Sequence, residues 1–430
     1  MKILVIGSGG REHALVWKLR QSPLVSKIWC APGNGGISQQ AECIPANLVD
    51  IPALGDLADR LGADLTVVGP EQPLVVGITE EFDRRKLKII GPSKKCAQLE
   101  GSKIFAKEFL NRHAIPTANT YGVFSSAPDA MKRLEGLKYP VVLKADGLCG
   151  GKGVLVAKSY GEASDFADRV LGKREFGEGG GRLLIEEALE GNELSFIVVS
   201  DGRDFVPLVP TRDHKRAFEG DRGPNTGGMG AYSCDGVVSL AMEAEIRRQI
   251  VEPTFAALER EGCAYRGFLY FGLMLTSNGP KVLEFNCRLG DPETQAIVAR
   301  MDFDLAEVLT ATSERKLGEK TLKWHPGASV CVVMASGGYP GNYATGKAIH
   351  GLERACAMPG IAVFHAGTKR EGDTYYTCSG RVLGVTAVGD TLDAARRTAY
   401  DAVGRIQFSD YHYRQDIALA APLVANAGEA

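Results

Sequence analysis

Three stretches of this chain combine residue types that suit phosphate and carboxylate chemistry. Lys144 ends an apolar run, and Asp146-Gly147-Leu148-Cys149-Gly150-Gly151-Lys152-Gly153 follows it. Glycines on both sides of a turn let bare backbone amides fold over a phosphate chain. Lys144 and Lys152 can bring positive charge to the same phosphates. The loop departs from a Walker A motif. Asp146 stands where the first glycine belongs, Gly153 takes the place of the Ser or Thr, and a strand-like run comes next. Further on, Ile185-Glu186-Glu187-Ala188-Leu189-Glu190-Gly191-Asn192-Glu193 reads as a strand end and a short linker. Its backbone can read adenine, and a carboxylate a few residues later can accept both ribose hydroxyls. Glu284-Phe285-Asn286-Cys287-Arg288 is the third stretch. Positions two apart in a strand face one side, so Glu284 and Asn286 form a hard-oxygen pair suited to Mg²⁺ on nucleotide phosphates. Arg288 can stabilise charge on a transferred phosphoryl or acyl oxygen. Taken singly, the three also fit a flexible surface hairpin with a solvated Lys152, a solvent-facing acidic strand end and an ordinary ion pair at a strand end.

A fourth candidate opens the chain. Gly7-Ser8-Gly9-Gly10-Arg11-Glu12-His13 follows a strand-like run and begins a helix-like one. Amides at such a turn suit one phosphate, with Arg11 adding a fixed charge. The dinucleotide fingerprint is incomplete, because Glu12 replaces its third glycine. Ala31-Pro32-Gly33-Asn34 also brings no acid for an adenosine ribose.

The elements that must hold these residues can be read from periodicity. Lys2–Ile6, Ile28–Ala31, Leu65–Val68 and Leu87–Ile90 are short apolar runs separated by the helical stretches Glu12–Gln21 and Pro52–Leu61. That alternation predicts a doubly wound parallel sheet. From Lys103 the texture changes. A helix Lys103–Arg112 precedes strands at Pro140–Ala145, Val154–Ala157, Arg182–Glu187, Leu194–Val199 and Phe205–Val209. The segment Asp213–Tyr232 is rich in charge and glycine and reads as a long mobile loop. A long helix Leu240–Arg260 then leads to a hairpin, Phe268–Thr276 with Lys281–Asn286. After Pro326 another α/β segment has strands near Ala328–Met334 and Gly380–Val388, and the Ala-rich last ten residues read as a frayed end. The fold class expected is multidomain α/β and α+β. An N-terminal α/β domain covers 1–102, a central region 103–325 and a C-terminal α/β domain 326–430.

Composition narrows the partners. The 430 residues are 44% hydrophobic and 24% charged with a formal net charge of −2, so no basic field is available for nucleic acid or an anionic membrane. No apolar run is long enough to span a bilayer, and the first residues lack signal-peptide organisation. Ten cysteines without a Cys-x-x-Cys pair read as free thiols in a reducing cytoplasm.

Together, Gly101-Ser102-Lys103, Lys144-Ala145-Asp146-Gly147 with its glycine loop, Glu186–Glu193 and Glu284–Arg288 resemble the ATP-grasp superfamily. Asp213-His214-Lys215-Arg216, Gly223–Gly230 and Glu284–Gln295 are similar, more narrowly, to the phosphoribosylamine–glycine ligase family, and Gly69-Pro70-Glu71 fits as well. That resemblance runs from Met1 to about residue 420. It implies ATP-dependent coupling of glycine to 5-phosphoribosylamine through glycyl phosphate, in purine synthesis. It also implies that the domain 1–102 binds substrate and that the region 103–325 binds ATP under a lid at about 120–190. It assigns Lys103, Lys144, Gly150, Gly151 and Lys152 to the ATP phosphates. Glu186, Glu187 and Leu189 go to adenine, Glu193 to the ribose, and Glu284 and Asn286 to Mg²⁺, with Mn²⁺ able to substitute. Lys144 and Arg288 are the catalytic pair. Gly9, Gly10, Arg11, Glu71, Asp213, Lys215, Arg288 and Gly290 are the implied substrate contacts. A monomer or weak homodimer with small-molecule substrates only is expected. Many ATP-grasp relatives carry an acid on the strand before the metal motif, where this chain has Gly272-Leu273-Met274. Two other readings stay open: a sister ATP-grasp ligase, and an ATP-binding regulatory protein without turnover.

Overall fold

The computed structural model describes residues 1–177 and 181–419; the Ala-rich tail lies almost entirely outside them. The first sheet is parallel, in the order Glu42–Cys43, Lys27–Pro32, Lys2–Gly7, Leu65–Val68, Ile89–Ile90. Its central strand shows why the sequence reads as an unbroken apolar run. Leu4 and Ile6 face one core with Leu54, Leu57 and Phe82, while Ile3 and Val5 face another with Leu15, Leu19 and Ile297. Both faces are covered, so no polar alternation survives. The expected strand at Leu87–Ile90 is only Ile89–Ile90.

Two antiparallel sheets follow. One has the order Thr120–Phe124, Leu183–Glu187, Val141–Ala145, Val154–Ala157. Helices Ala127–Glu135 and Tyr160–Ala167 cover its outer face, burying Val141, Leu143, Leu183 and Ile185. The alternate residues Val142, Lys144, Leu184 and Glu186 line a cavity on the other face. The second sheet runs Phe205–Pro207, Asn192–Asp201, Arg266–Thr276, Gly279–Asn286 and supplies the opposite wall.

Three local expectations need correction. The Asp213–Tyr232 segment is not a loop. It contains strands Arg212–Asp213, Arg216–Phe218, Arg222–Asn225 and Gly230–Cys234. The first and last of these join the C-terminal sheet, ordered Arg212–Asp213, Gly230–Cys234, Ala328–Ser336, Arg381–Gly389, Ile361–His365. Its polar residues are satisfied by partners far along the chain. Arg414, buried, donates to the Asp221 carboxylate at 2.8 Å and to the Arg216 carbonyl at 3.1 Å. Leu240–Arg260 is interrupted by a π turn at Arg247–Val251. Pro253 explains it, since a proline has no N–H and its ring crowds the carbonyl four residues back. Finally, the cysteines are not all free. Cys96 and Cys263, with Cα atoms 6.2 Å apart, are joined, a pairing that no local spacing announces. No helix among the described residues is long and apolar enough to cross a membrane.

Candidate active site

A cavity of about 990 Å³ lies between the two antiparallel sheets and the N- and C-terminal sheets. On its first wall, Lys144 projects inward because its neighbours Leu143 and Ala145 take the opposite, buried face. Its ammonium donates to the Leu283 carbonyl at 2.9 Å and pairs with Glu186. Lys107, one helical turn beyond Lys103, places its Nζ 2.8 Å from the other oxygen of the same carboxylate. Burial opposes ionisation of Glu186, yet Lys144 and Lys107 hold its carboxyl below the usual range. Glu187 turns the other way, accepting from the Asn119 backbone at 2.9 Å and side chain at 3.0 Å.

The residue that rules out a Walker A loop proves structural. Asp146 accepts from Ser102 Oγ at 2.8 Å, Ile104 N at 3.2 Å and Arg182 at 2.8 Å. It thereby fixes the start of the glycine loop against the N-terminus of the Lys103–Arg112 helix. Lys103 donates to the Gly147 carbonyl at 2.8 Å. Gly150 and Gly151 have φ of 56° and 79°, and a Cβ on Gly151 would stand 3.1 Å from the Thr226 carbonyl oxygen. Glycine serves the left-handed conformation at both positions, and at Gly151 close backbone approach as well.

Opposite, Glu284 and Asn286 share the inward face of their strand, while Phe285 packs outward on Phe109 and Phe271. Lys215 Nζ lies 3.0 Å from Glu193, 3.6 Å from Glu284 and 3.9 Å from Asp213. Burial works against the Glu284 charge, but Lys215, Lys144, Lys103 and Arg288 keep it ionised below the usual carboxylate range. Burial pushes Asp213 up to about 8 against the pull of Lys215. Gly272 lies directly across from Glu284, and a Cβ there would come within 2.9 Å of Glu284 Cγ. A second acid at that position would displace the first. Among the described residues no group of three His, Cys, Asp or Glu side chains is placed to hold a metal ion. A carboxylate and an amide oxygen nevertheless fit Mg²⁺, which keeps waters and takes its remaining ligands from phosphates.

The third side gathers guanidinium groups. Arg288 binds Glu100 at 2.7 Å and Glu71 at 3.3 Å, and donates to Asn286 Oδ1 at 3.3 Å. Glu100 is buried, and burial lifts its carboxyl to about 7 although Arg288 opposes the shift. Arg11 bonds Glu12 at 2.6 Å and the Leu289 carbonyl at 3.0 Å. Its amide meets Asp291 at 3.2 Å, and the Gly9 amide donates to Glu12. Arg381, from the C-terminal sheet, donates to the Asp291 carbonyl at 2.6 Å and the Gly227 carbonyl at 2.7 Å.

The cavity therefore brings together Gly9, Arg11, Glu71, Lys103, Lys144, Gly150, Gly151, Glu186, Glu187, Leu189, Glu193, Asp213, Lys215, Glu284, Asn286, Arg288 and Gly290. Gly10 and Lys152 are not on its wall; Gly10 packs against Gln295. Sequence reasoning passed over Lys107, Glu100, Asp291, Glu293 and Arg381, which also line it. Asp291 and Glu293 sit in the quoted run Glu284–Gln295, and Glu100 directly precedes Gly101-Ser102-Lys103. Adjacency was their only signal, and Lys107 and Arg381 had none.

Comparison with known proteins is consistent along most of the chain. Family models described as phosphoribosylglycinamide synthetase match in three parts: the N domain at residues 1–100, the ATP-grasp (A) domain at 101–294 and the C domain at 329–420. The phosphoribosylamine–glycine ligase of Allochromatium vinosum is 49% identical over 420 residues, covering 97% of this chain and 98% of that one. The ligase of the same name from Escherichia coli K12 is 49% identical over 421 residues, with the same coverage. Among solved structures, phosphoribosylamine–glycine ligase of Thermotoga maritima superposes with a TM-score of 0.83 at 33% identity, covering 97% of this chain and 100% of that chain. A biotin carboxylase from Campylobacter jejuni, in a beta-gamma-ATP complex, has a TM-score of 0.70 at 16% identity over 95% and 92% of the two chains. That likeness speaks for the fold alone.

Proposed function

The chain belongs to the phosphoribosylamine–glycine ligase family, and on that premise we propose how its cavity divides the work of the reaction. The enzyme joins glycine to 5-phosphoribosylamine in an ATP-dependent step of purine synthesis. One observation supports the division best. The lysines of the glycine-loop wall and the Glu284–Asn286–Arg288 strand end line one cavity, with Lys144 reaching the Leu283 carbonyl beside Glu284 at 2.9 Å.

ATP lies along the first wall, its adenine against the backbone of Glu186–Leu189, its ribose on Glu193 and its phosphates under the glycine loop, between Lys103 and Lys144. Glu284 and Asn286 would hold Mg²⁺, or Mn²⁺ in its place, which when bound neutralises phosphate charge. The glycine carboxylate attacks the γ-phosphorus, ADP leaves, and glycyl phosphate forms. The amine of 5-phosphoribosylamine then attacks the acyl carbon. A C–N bond forms, the C–O bond to phosphate breaks, and the nitrogen releases a proton. Lys144 and Arg288 stabilise charge on the transferred phosphoryl and acyl oxygens. Gly9 and Arg11 anchor the 5-phosphate, and Glu71, Asp213, Lys215 and Gly290 complete the substrate contacts. Closure of the 120–190 sheet over the cavity would keep water from the acyl phosphate.

Two measurements test this reading. Sustained ADP release should require glycine and 5-phosphoribosylamine together, because without an amine the reaction halts at glycyl phosphate. Hydroxylamine added with ATP and glycine in place of the amine should yield glycine hydroxamate, the product of trapping an acyl phosphate. Amide formation without any trappable hydroxamate would argue for attack that bypasses glycyl phosphate.

A further inference from the structure

Lys107 is buried to 5% exposure yet reaches the cavity wall. Its ammonium donates to Thr117 Oγ1 at 2.7 Å and to the Ala118 carbonyl at 2.9 Å, and lies 2.8 Å from Glu186. An ammonium has three donors, and three protein oxygens surround this one. It is therefore built to stay in place and not to follow a substrate. Thr117 is itself fixed, because its hydroxyl donates to the Val282 carbonyl at 2.7 Å on the strand that carries Glu284. The Glu186 carboxylate thus stands between two ammonium groups, with Lys107 on one oxygen and Lys144 on the other.

We propose that Lys107 is a positioning residue for ATP: by neutralising Glu186 it leaves the charge of Lys144 available to the nucleotide phosphates. The proposal rests on the placement of ATP given above. With both lysines present the group carries one net positive charge. Without Lys107, Lys144 and Glu186 form a closed neutral pair, and of this wall's lysines only Lys103 still offers its charge to the phosphates. Over several ångströms at a partly buried site, losing one unit of charge weakens binding of a polyanion on the order of ten-fold or more. Adenosine, which carries no phosphate, would feel none of this.

The test is calorimetric titration of the full-length protein with ATP and, separately, with adenosine. Lys107→Met should weaken ATP about ten-fold and leave adenosine within about two-fold. Adding Glu186→Gln to that variant restores the net charge with Lys144 alone, so most of the lost ATP affinity should return. A merely structural lysine would behave otherwise. Its loss would weaken ATP and adenosine in parallel, and the second substitution would add damage; either result overturns the proposal. If Lys107→Met does not fold, Thr117→Val loosens the same ammonium while keeping its charge. That variant should weaken ATP a few-fold with adenosine unchanged, and undiminished ATP binding would likewise overturn the proposal. Lys144→Ala serves as the reference. If it binds ATP normally, the placement of ATP fails; if it binds weakly while Lys107→Met binds normally, only the role of Lys107 fails.

Discussion

Around the glycine loop, Lys107 and Lys144 share the buried carboxylate Glu186 while Lys103 donates to the Gly147 carbonyl, whereas around the N-terminal loop every guanidinium has its own acid. Arg11 is matched with Glu12, Arg288 with Glu71 and Glu100, and Arg381 with Asp291. The first arrangement leaves positive charge for a polyanion that comes and goes. The second spends its charge on fixing geometry, since paired guanidinium groups hold direction well but attract little from a distance. A 5-phosphate anchored at Gly9–Arg11 would meet Glu12 and Asp291 as well as Arg11. The Gly9 and Arg11 amides already meet Glu12 and Asp291, so its hold there must come from close fit to the turn more than from excess charge.

The largest test of this contrast removes charge where it is in surplus. Lys144→Ala should lower kcat by roughly 10²–10³, about 2.7–4 kcal/mol of lost transition-state stabilisation. Near-normal turnover would break the assignment. On the matched side the decisive variable should be shape. Gly9 has an ordinary φ of −86°, so backbone strain is not the obstacle to a larger residue. A Cβ there would stand 2.9 Å from Glu12 Oε2 and 3.1 Å from Asp291 Oδ2. Gly9→Val should therefore raise KM for 5-phosphoribosylamine on the order of ten-fold by blocking close approach to the turn, with KM for ATP and glycine little changed. Equal weakening of all three substrates would make Gly9 a packing residue only.

A subtler probe uses the proton. Glu100 is shifted up to about 7 by burial, with Arg288 opposing. As pH falls through 7 it becomes neutral and Arg288 loses an ionic partner. The acid limb of kcat/KM should then fall with an apparent pKa near 7, and Glu100→Gln should flatten that limb. For stability the sign is opposite. The raised pKa favours the folded state fully below the ordinary carboxylate range, and that contribution is lost as pH rises through about 7. An unchanged acid limb in Glu100→Gln would detach Arg288 alignment from Glu100.

The smallest expected effect lies away from the cavity, where the first helix meets the C-terminal sheet. His13 accepts from the His365 amide at 2.7 Å. Burial, with mutual repulsion, lowers His13 to about 3, and burial lowers His365 to about 4. Neutral rings stabilise the fold above pH 6.5, and that contribution drains away as pH falls toward 4, because only the unfolded chain takes up the protons. Thermal melts of His13→Asn, which keeps an acceptor, should decline less steeply over that window. The difference is at most about 1.4 kcal/mol per pH unit for one proton. Parallel curves for variant and parent would exclude His13 as a titrating contributor.

What could be read from the sequence was what lies within a few residues of itself. Glu284 and Asn286 are legible because a strand repeats every two residues, and the glycine loop because its special backbone needs a visible residue type. The parallel sheet was legible from runs buried on both faces. Lys107 and Arg381 were not, because an isolated Lys in a helix or an Arg at a strand start looks solvated until its distant partners are known. The segment Asp213–Tyr232 misled for the same reason. Its charges and glycines describe a loop in isolation, while Arg414 and the strand Ala328–Ser336 that order it lie far downstream.

That segment also sets an order of events during synthesis. Gly230–Cys234 pairs with Ala328–Ser336, which pairs in turn with Arg381–Gly389. A growing chain that has released the glycine loop and the Glu284 strand from the ribosome still lacks the partner that holds Asp213 and Lys215 against them. Domains usually complete themselves in the order they emerge. Here the wall carrying Asp213 and Lys215 waits on residues translated much later, so a nascent chain halted before Ala328 would have an unpaired strand edge and no finished cavity.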